Sequence, residues 1–118
     1  MDFNGKSILV VGGTSGIGLA LQQDLQQRGA NVWVASRRKP ADGTPHLPLD
    51  VTAPADDWAT ALPDVLHGVA YCPGSINLKP FARLSEDDFN RDWQVNVMGA
   101  VRVLQAAVPA LKKAQGAS

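Results

Sequence analysis

The sequence predicts an α/β fold built on a doubly wound parallel sheet, and three observations support that prediction. Short apolar runs rich in β-branched residues alternate with segments whose apolar residues recur at helical spacing. A cluster of glycines directly follows the first apolar run. The 118 residues, of which 45% are hydrophobic, suit a single domain with its own core.

The first strand–helix–strand unit is predicted within residues 7–35. The run Ser7–Val11 predicts a strand buried on both faces, as in a parallel sheet. The apolar residues that follow at helical spacing predict a helix: Ile17, Leu21 and Leu25. Four glutamines of this helix are expected to face water: Gln22, Gln23, Gln26 and Gln27. Gly29 suits a helix C-cap, and residues 31–35 predict a second apolar strand.

Two further strands and a short helix are predicted in the middle of the chain. Residues 46–50 indicate a short third strand, although Pro48 interrupts it. Residues 56–66 indicate a short helix, which Pro63 ends or breaks. Residues 68–72 predict a fourth strand, which a Pro-Gly pair terminates.

The last predicted element is one long amphipathic helix that starts after Ser85 and ends near Ala114. Ser85 suits an N-cap, and three acidic residues follow it in the first turn, where the helix dipole favours them. Its apolar residues have a 3.6-residue period: Phe89, Trp93, Val97, Val101, Leu104, Val108 and Leu111. Residues 115–118 look like a turn that enters another strand. We therefore predict that residues 1–118 are a single, incomplete domain with about four strands.

The composition indicates which partners this chain is expected to bind and in which cellular compartment it is expected to work. Eleven basic and eleven acidic residues give zero net charge, which argues against nucleic acid as a partner. No secretory leader and no apolar stretch of about 18 residues is present, so we expect no membrane association. Cys72 is the only cysteine, which excludes an intrachain disulfide and fits the cytoplasm. The two histidines, His46 and His67, are not in a metal-binding spacing.

The glycine-rich segment 12–18 predicts a cradle for the pyrophosphate of a dinucleotide. It follows a strand and opens a helix, whose N-terminal amides lack intrahelical partners and attract phosphate. Glycine allows the tight turn and the close approach of backbone to ligand. The alternative is a glycine-rich turn without a ligand. The candidate cofactor-binding residues here are Gly12, Thr14, Ser15, Gly16, Ile17 and Gly18.

The end of the second strand predicts the type of cofactor. An acidic residue at this position binds the ribose hydroxyls of NAD, whereas arginine favours the 2′-phosphate of NADP. The chain has Ser36, Arg37 and Arg38 here, so we favour NADP(H) over NAD(H). The alternative is that the basic residues 37–39 are a solvated loop.

The glycine spacing G-x-x-x-G-x-G resembles that of the short-chain dehydrogenase/reductase family. The resemblance includes Asp50-Val51-Thr52, Gly74 and the run from Val95 to Gly99, and it extends over nearly the whole chain. It implies a Rossmann-like fold and hydride transfer between NAD(P) and a small alcohol or carbonyl substrate. The resemblance also implies that Asp50 and Val51 contact the adenine. The alternative for Asp50 is a turn residue that caps the strand end, and this is compatible with an adenine contact.

The fourth strand departs from the family pattern. Where most members have Asn-Asn-Ala-Gly, this chain has Tyr71-Cys72-Pro73-Gly74, and where most begin the glycine motif with Thr, it has Val11. In the family these asparagine and threonine positions are joined by hydrogen bonds. Because replacing both polar partners can be nearly neutral, we interpret the change as compensated, with Cys72, Pro73 and Gly74 still at the cofactor. Cys72 itself is expected to be a buried thiol without a redox role.

Asn96 matches the family's catalytic asparagine, which distorts its helix and holds a water in a proton relay. The family's catalytic Ser, Tyr and Lys are not identifiable: Tyr71 is the only tyrosine, and the residue four positions later is Ser75. We therefore expect this chain to be inactive alone. We also expect it either to self-associate, with the long helix at the interface, or to need the missing segment. The alternatives are a non-catalytic nucleotide-binding module and one piece of a split protein.

Overall fold

The computed structural model describes residues 2–12, 14, 16–53 and 58–118. A strand, a helix and two more strands come first: β1 (Ser7–Val11), α1 (Gly16–Gln27), β2 (Asn31–Ser36) and β3 (His46–Pro48). A fourth strand and two helices follow: β4 (Gly68–Tyr71), α2 (Glu86–Trp93) and α3 (Gly99–Lys112). A π-helical turn, Gln94–Met98, joins α2 to α3. Two short 3₁₀ turns complete the described elements: Trp58–Ala61 and Phe81–Arg83.

The strands form a parallel sheet in the order β3-β2-β1-β4, which confirms the predicted fold class. Val10 of β1 lies opposite Val34 of β2 and Ala70 of β4. The chain runs outward from β1 to β3 on one side and then crosses to β4 on the other. This order places the point where the topology reverses between β1 and β4, which is where open α/β sheets bind ligands.

Alternate residues of β1 pack into two separate cores, one on each face of the sheet. Leu9 and Val11 belong to the core under α3, which includes Leu66 and Val103. Ile8 and Val10 belong to the core under α1, which includes Leu25. Burial on both faces explains why this strand is a continuous apolar run with no polar alternation.

The predicted helix over residues 56–66 is wrong within the part of the chain that the structure describes. Only a 3₁₀ turn, Trp58–Ala61, is present there; Asp56, the predicted first residue, lies outside the described residues. Pro63 has no backbone N–H, so a helix cannot continue through it with its hydrogen bonds intact. The third strand is shorter than predicted and ends at Pro48, although the Leu49 amide still donates to the Ser36 carbonyl over 3.0 Å.

The predicted exposure of Gln22 is also wrong, because this side chain is completely buried. The loop after β2 covers it, and its amide nitrogen donates to Asp42 and Thr44. Helical periodicity shows which residues share a face, but it cannot show that a polar loop folds over that face. Gln23, Gln26 and Gln27 are exposed as predicted.

The long predicted helix is present, but its bulky apolar row is not the row packed on the sheet. The buried positions of α3 are Gly99, Val103, Ala107 and Ala110. Small residues at these positions let the helix approach the sheet closely. The bulkier side chains lie between 37% and 54% exposed: Phe89, Trp93, Val97, Val101, Leu104 and Val108.

At the other edge of the sheet, Ser118 lies beside β4. Its amide donates to the His67 carbonyl over 3.0 Å, and the Val69 amide donates to the Ser118 carbonyl over 2.8 Å. This alternation is the hydrogen-bond pattern of parallel strands. Ser118 therefore pairs with β4 as a residue of a parallel strand does.

Candidate functional site

A cleft of about 910 Å³ opens at the carboxyl ends of β1, β2 and β4, at the topological switch point. The glycine segment lines one side and α2 with the π turn lines the other, through Asn90, Arg91, Gln94 and Val95. Every described residue predicted to bind cofactor lines this cleft: Gly12, Thr14, Gly16, Ile17, Gly18, Ser36, Arg37, Arg38, Asp50, Val51, Cys72, Pro73 and Gly74. Ser15, also predicted, lies outside the described residues.

The glycine segment has the backbone geometry that its residue type allows. Gly12 has φ +79°, and its amide donates to the Ala35 carbonyl over 2.8 Å, which holds the turn against β2. A Cβ at Gly12 would lie 3.2 Å from Cδ of Pro73. Gly16, at φ +54°, is the first residue of α1, so the N-terminus of this helix faces the cleft. Amides in that position are suited to an anion.

The two arginines after β2 are exposed on the wall of the cleft. Within the described chain, neither the Arg37 nor the Arg38 guanidinium has a side-chain hydrogen bond or a salt bridge. Ser36, by contrast, is 8% exposed, and its hydroxyl donates to the Arg38 carbonyl. The guanidinium groups are therefore available to a ligand, whereas the serine hydroxyl is already engaged.

Asp50 forms a turn and also lines the cleft. Its carboxylate accepts hydrogen bonds from the amide and the hydroxyl of Thr52, over 2.9 and 2.7 Å. The Thr52 hydroxyl, the Thr52 amide and the charge of Arg37 lower the pKa of Asp50. The next residue, Val51, accepts a hydrogen bond at its carbonyl from Nη1 of Arg102 over 3.1 Å.

The end of β4 contributes backbone and a half-buried thiol. The Cys72 amide donates to the Val11 carbonyl over 3.0 Å, which brings residues 72–74 against the glycine segment. Burial raises the pKa of Cys72, which keeps the thiol protonated and unreactive at neutral pH. This direction supports the expectation that Cys72 has no redox role.

Asn96 lies in the π turn, and its side chain pairs with the backbone of the segment after β4. Its Oδ1 accepts from the Ser75 amide over 2.9 Å, and its Nδ2 donates to the Ser75 carbonyl over 3.0 Å. Ser75 lines the cleft, whereas Asn96 is exposed and does not line it. The asparagine amide thus acts like a neighbouring strand and fixes residue 75.

Tyr71 and Gly99 explain why the helix widens at this place. The Gly99 amide donates to the Gln94 carbonyl, five residues back, and the Tyr71 hydroxyl donates to the Val95 carbonyl that an α-helix would pair with Gly99. A Cβ at Gly99 would lie 2.3 Å from that hydroxyl. Burial raises the pKa of Tyr71, so the hydroxyl remains a donor at neutral pH.

The sequence did not point to four side chains that support this region: Asn77, Asp92, Gln94 and Arg102. The Asp92 carboxylate accepts from the Ser75 hydroxyl over 2.6 Å and from Nδ2 of Asn77 over 3.1 Å. Nη2 of Arg102 donates to Oε1 of Gln94 over 2.6 Å. Asp92 is four residues before Asn96, so the two share a helix face, and this spacing is the signal that could have identified it.

Among the described helices, none is long and apolar enough to cross a membrane.

The family model described as short chain dehydrogenase matches residues 6–118. An uncharacterized oxidoreductase of Schizosaccharomyces pombe is 29% identical over 96% of this chain and 52% of its own length. A cyclopentanol dehydrogenase of Comamonas is 29% identical over 94% of this chain and 51% of its own length. The chain thus spans about half the length of the curated relatives it matches.

The fold also matches solved structures. The Pseudomonas aeruginosa RhlG/NADP active-site complex superposes with a TM-score of 0.85 at 24% identity, covering 99% of this chain and 51% of that one. At this level of identity, the likeness shows the Rossmann-type fold alone. With the matched family model and the cleft at the switch point of its parallel sheet, this chain belongs to the short-chain dehydrogenase family.

Proposed function

We propose that the cleft binds NADP(H) and that this chain is the cofactor-binding portion of an oxidoreductase that transfers hydride between NADP(H) and a small alcohol or carbonyl compound. The observation that carries the choice of NADP(H) is the pair Arg37 and Arg38, exposed on the cleft wall. A planar guanidinium binds a phosphate through two parallel hydrogen bonds. Asp50, the one described acid lining the cleft, has its carboxylate held by Thr52.

The remaining described residues of the cleft suit the rest of a dinucleotide. The N-terminus of α1 at Gly16 would hold the pyrophosphate, with Thr14 as an additional hydroxyl donor. Asp50 and Val51 would contact the adenine, beside the end of β4. The bound cofactor would donate hydride to a carbonyl or accept it from an alcohol, and the chain would bind and orient the cofactor.

Asn96 is proposed as a catalytic residue of the complete site. Its side chain holds the segment beside the cleft through two hydrogen bonds to Ser75. One amide hydrogen and one carbonyl lone pair remain for the water of the proposed relay. The only tyrosine, Tyr71, donates to the Val95 carbonyl, and its raised pKa opposes action as a base. We therefore propose that these 118 residues bind cofactor but do not catalyse hydride transfer alone.

The test measures cofactor binding and not turnover. We expect NADPH to bind the chain more tightly than NADH in a fluorescence titration. Replacing both Arg37 and Arg38 with alanine should weaken NADPH binding at least about tenfold, since each charge-assisted hydrogen bond is worth roughly 1.5–3 kcal/mol. NADH affinity should stay within about twofold, because NADH has no 2′-phosphate.

Lys39→Ala is the matched control, because it removes an adjacent positive charge that is exposed but does not line the cleft. This variant should retain the preference for NADPH. Equal or tighter binding of NADH by the unmodified chain would contradict the assignment of the arginines.

We also propose that the chain forms a homo-oligomer through α2 and α3. The exposed row that begins at Phe89 and Trp93 and ends at Val108 is apolar along its length, and Phe89 and Trp93 are each 54% exposed. Surfaces of this kind mark protein interfaces. Sedimentation should show concentration-dependent association, which Trp93→Glu with Leu104→Glu should weaken. An unmodified chain that stays monomeric throughout the concentration range would refute the proposal.

A further inference from the structure

A group of hydrogen-bonded polar side chains attaches the loop after β2 to helix α1; we call Gln22, Gln26, Asp42 and Thr44 the loop anchor. Nε2 of Gln22 donates to Oδ2 of Asp42 over 2.9 Å and to Oγ1 of Thr44 over 2.8 Å. Nε2 of Gln26 donates to the same threonine oxygen over 3.0 Å. The Thr44 hydroxyl in turn donates to Oδ1 of Asp42 over 2.6 Å. These bonds connect a helix to the loop that contains the two arginines.

Two members of the loop anchor are buried, and the other two, Gln26 and Asp42, are exposed. Gln22 is completely buried, and Thr44 is 6% exposed. Thr44 uses its hydroxyl as one donor and as an acceptor for two amides, which is all that this group can offer. Hydrogen bonds shielded from water in this way hold geometry more firmly than exposed ones.

The arginine turn is held from its other side by Ser36 and His46. The Ser36 hydroxyl donates its only hydrogen to the Arg38 carbonyl. Nε2 of His46 lies 3.0 Å from the Ser36 carbonyl and 3.1 Å from the Ser36 hydroxyl. A carbonyl only accepts, so Nε2 carries the proton and donates. Ser36 therefore shapes the backbone at Arg38 and has no hydrogen left for a ligand.

We propose that the loop anchor, together with the Ser36–His46 pair, determines cofactor specificity by positioning Arg37 and Arg38 for the phosphate monoester on the adenine ribose. Helix α1 carries Gln22 and Gln26 of the anchor and presents its N-terminus to the cleft. One rigid element thus sets both the pyrophosphate position and the arginine turn. The inference rests on the proposed binding of NADP(H), and its residues are positioning residues, since none of the loop anchor lines the cleft.

Thr44→Val is the sharpest test, because it keeps the shape of the side chain and removes the hydroxyl that three bonds share. We expect the dissociation constant for NADPH to rise about five- to tenfold and that for NADH to change less than twofold. If the role is purely structural, the melting temperature should fall and the binding of NADPH and NADH should either weaken equally or not change. Either of those results would overturn the proposal.

A second variant keeps the test valid if Thr44→Val does not fold. Gln22→Met removes the two donated bonds and also a buried acceptor, Oε1, that has no partner among the described residues. The loss of two hydrogen bonds is partly offset by the removal of an unpaired buried acceptor, so the free energy of unfolding should change little. The preference for NADPH should nevertheless fall. Gln23→Met, on the same helix but exposed, is the matched control and should leave the preference unchanged.

The two proposals fail in distinguishable ways. If the unmodified chain does not prefer NADPH, the proposed function is contradicted, and with it the phosphate that the anchor is said to serve. If the unmodified chain prefers NADPH and both Thr44→Val and Gln22→Met keep that preference, only the role of the loop anchor is contradicted.

Discussion

Gly99→Ala is expected to lower the free energy of unfolding by about 2 kcal/mol, despite the better helix propensity of alanine. The added methyl would lie 2.3 Å from the Tyr71 hydroxyl and 3.0 Å from both Cβ of Val51 and the Gln94 carbonyl oxygen. Overpacking of this kind costs roughly 1–3 kcal/mol, and losing the Tyr71 bond to Val95 costs about 1 kcal/mol more. The gain in propensity, about 1 kcal/mol, is smaller.

Urea unfolding of a double-mutant cycle measures this effect. Tyr71→Phe removes the closest clashing atom, so Gly99→Ala should be less destabilising in the Tyr71→Phe background than in the unmodified chain. Gly74→Ala is the matched control, because a Cβ there meets only Oδ1 of Asn96, at 3.7 Å. Additive effects of the Tyr71 and Gly99 substitutions would show that the added methyl does not clash with the Tyr71 hydroxyl.

Gly12→Ala is expected to abolish detectable NADPH binding and to destabilise the fold by more than 1 kcal/mol. At φ +79°, an alanine pays roughly 1–2 kcal/mol for the left-handed backbone. Its Cβ would also lie 3.2–3.3 Å from three atoms of Pro73, on the side of the cleft where phosphate must approach. Pro73 is a rigid ring, so relief of the contact requires the glycine segment to move.

Gly5→Ala separates the two contributions. Gly5 has φ +73°, nearly the same backbone geometry, and nothing lies within 4 Å of a Cβ built there. It should show the backbone cost alone and bind NADPH normally. If Gly12→Ala also binds NADPH normally in a fluorescence titration, the glycine segment does not form the phosphate cradle.

Local patterns in the sequence predicted the framework of this fold. The apolar runs at β1 and β2 and the glycines between them indicated a parallel pair joined by a helix, and the structure confirms it. Strand burial on both faces and the N-cap at Ser85 depend on residues near in the chain, so the sequence displays them directly. The helix over 56–66 was wrong because apolar content there reflects packing of Trp58 into the core and not helical continuity.

Several hydrogen bonds near the cleft join residues that are far apart in the sequence. Asp92 and Ser75 are seventeen residues apart, and the Arg102 and Val51 groups that meet are fifty-one apart. The burial of Gln22 could not be predicted from the sequence either, because it depends on a loop twenty residues later that folds over the helix. Hydrogen-bonding partners at such distances have no periodic signal in the chain.

The sequence by itself determined the parallel α/β framework, the family and the residues predicted to line the cleft, because β-branched runs, glycine spacing and helical period are local properties. Only the tertiary structure decided how the helix deforms at Asn96, which face of α3 packs on the sheet, and how the loop after β2 is attached to α1. Those outcomes depend on close approach between distant segments, such as Tyr71 with Gly99, where the fit of a few atoms selects one arrangement.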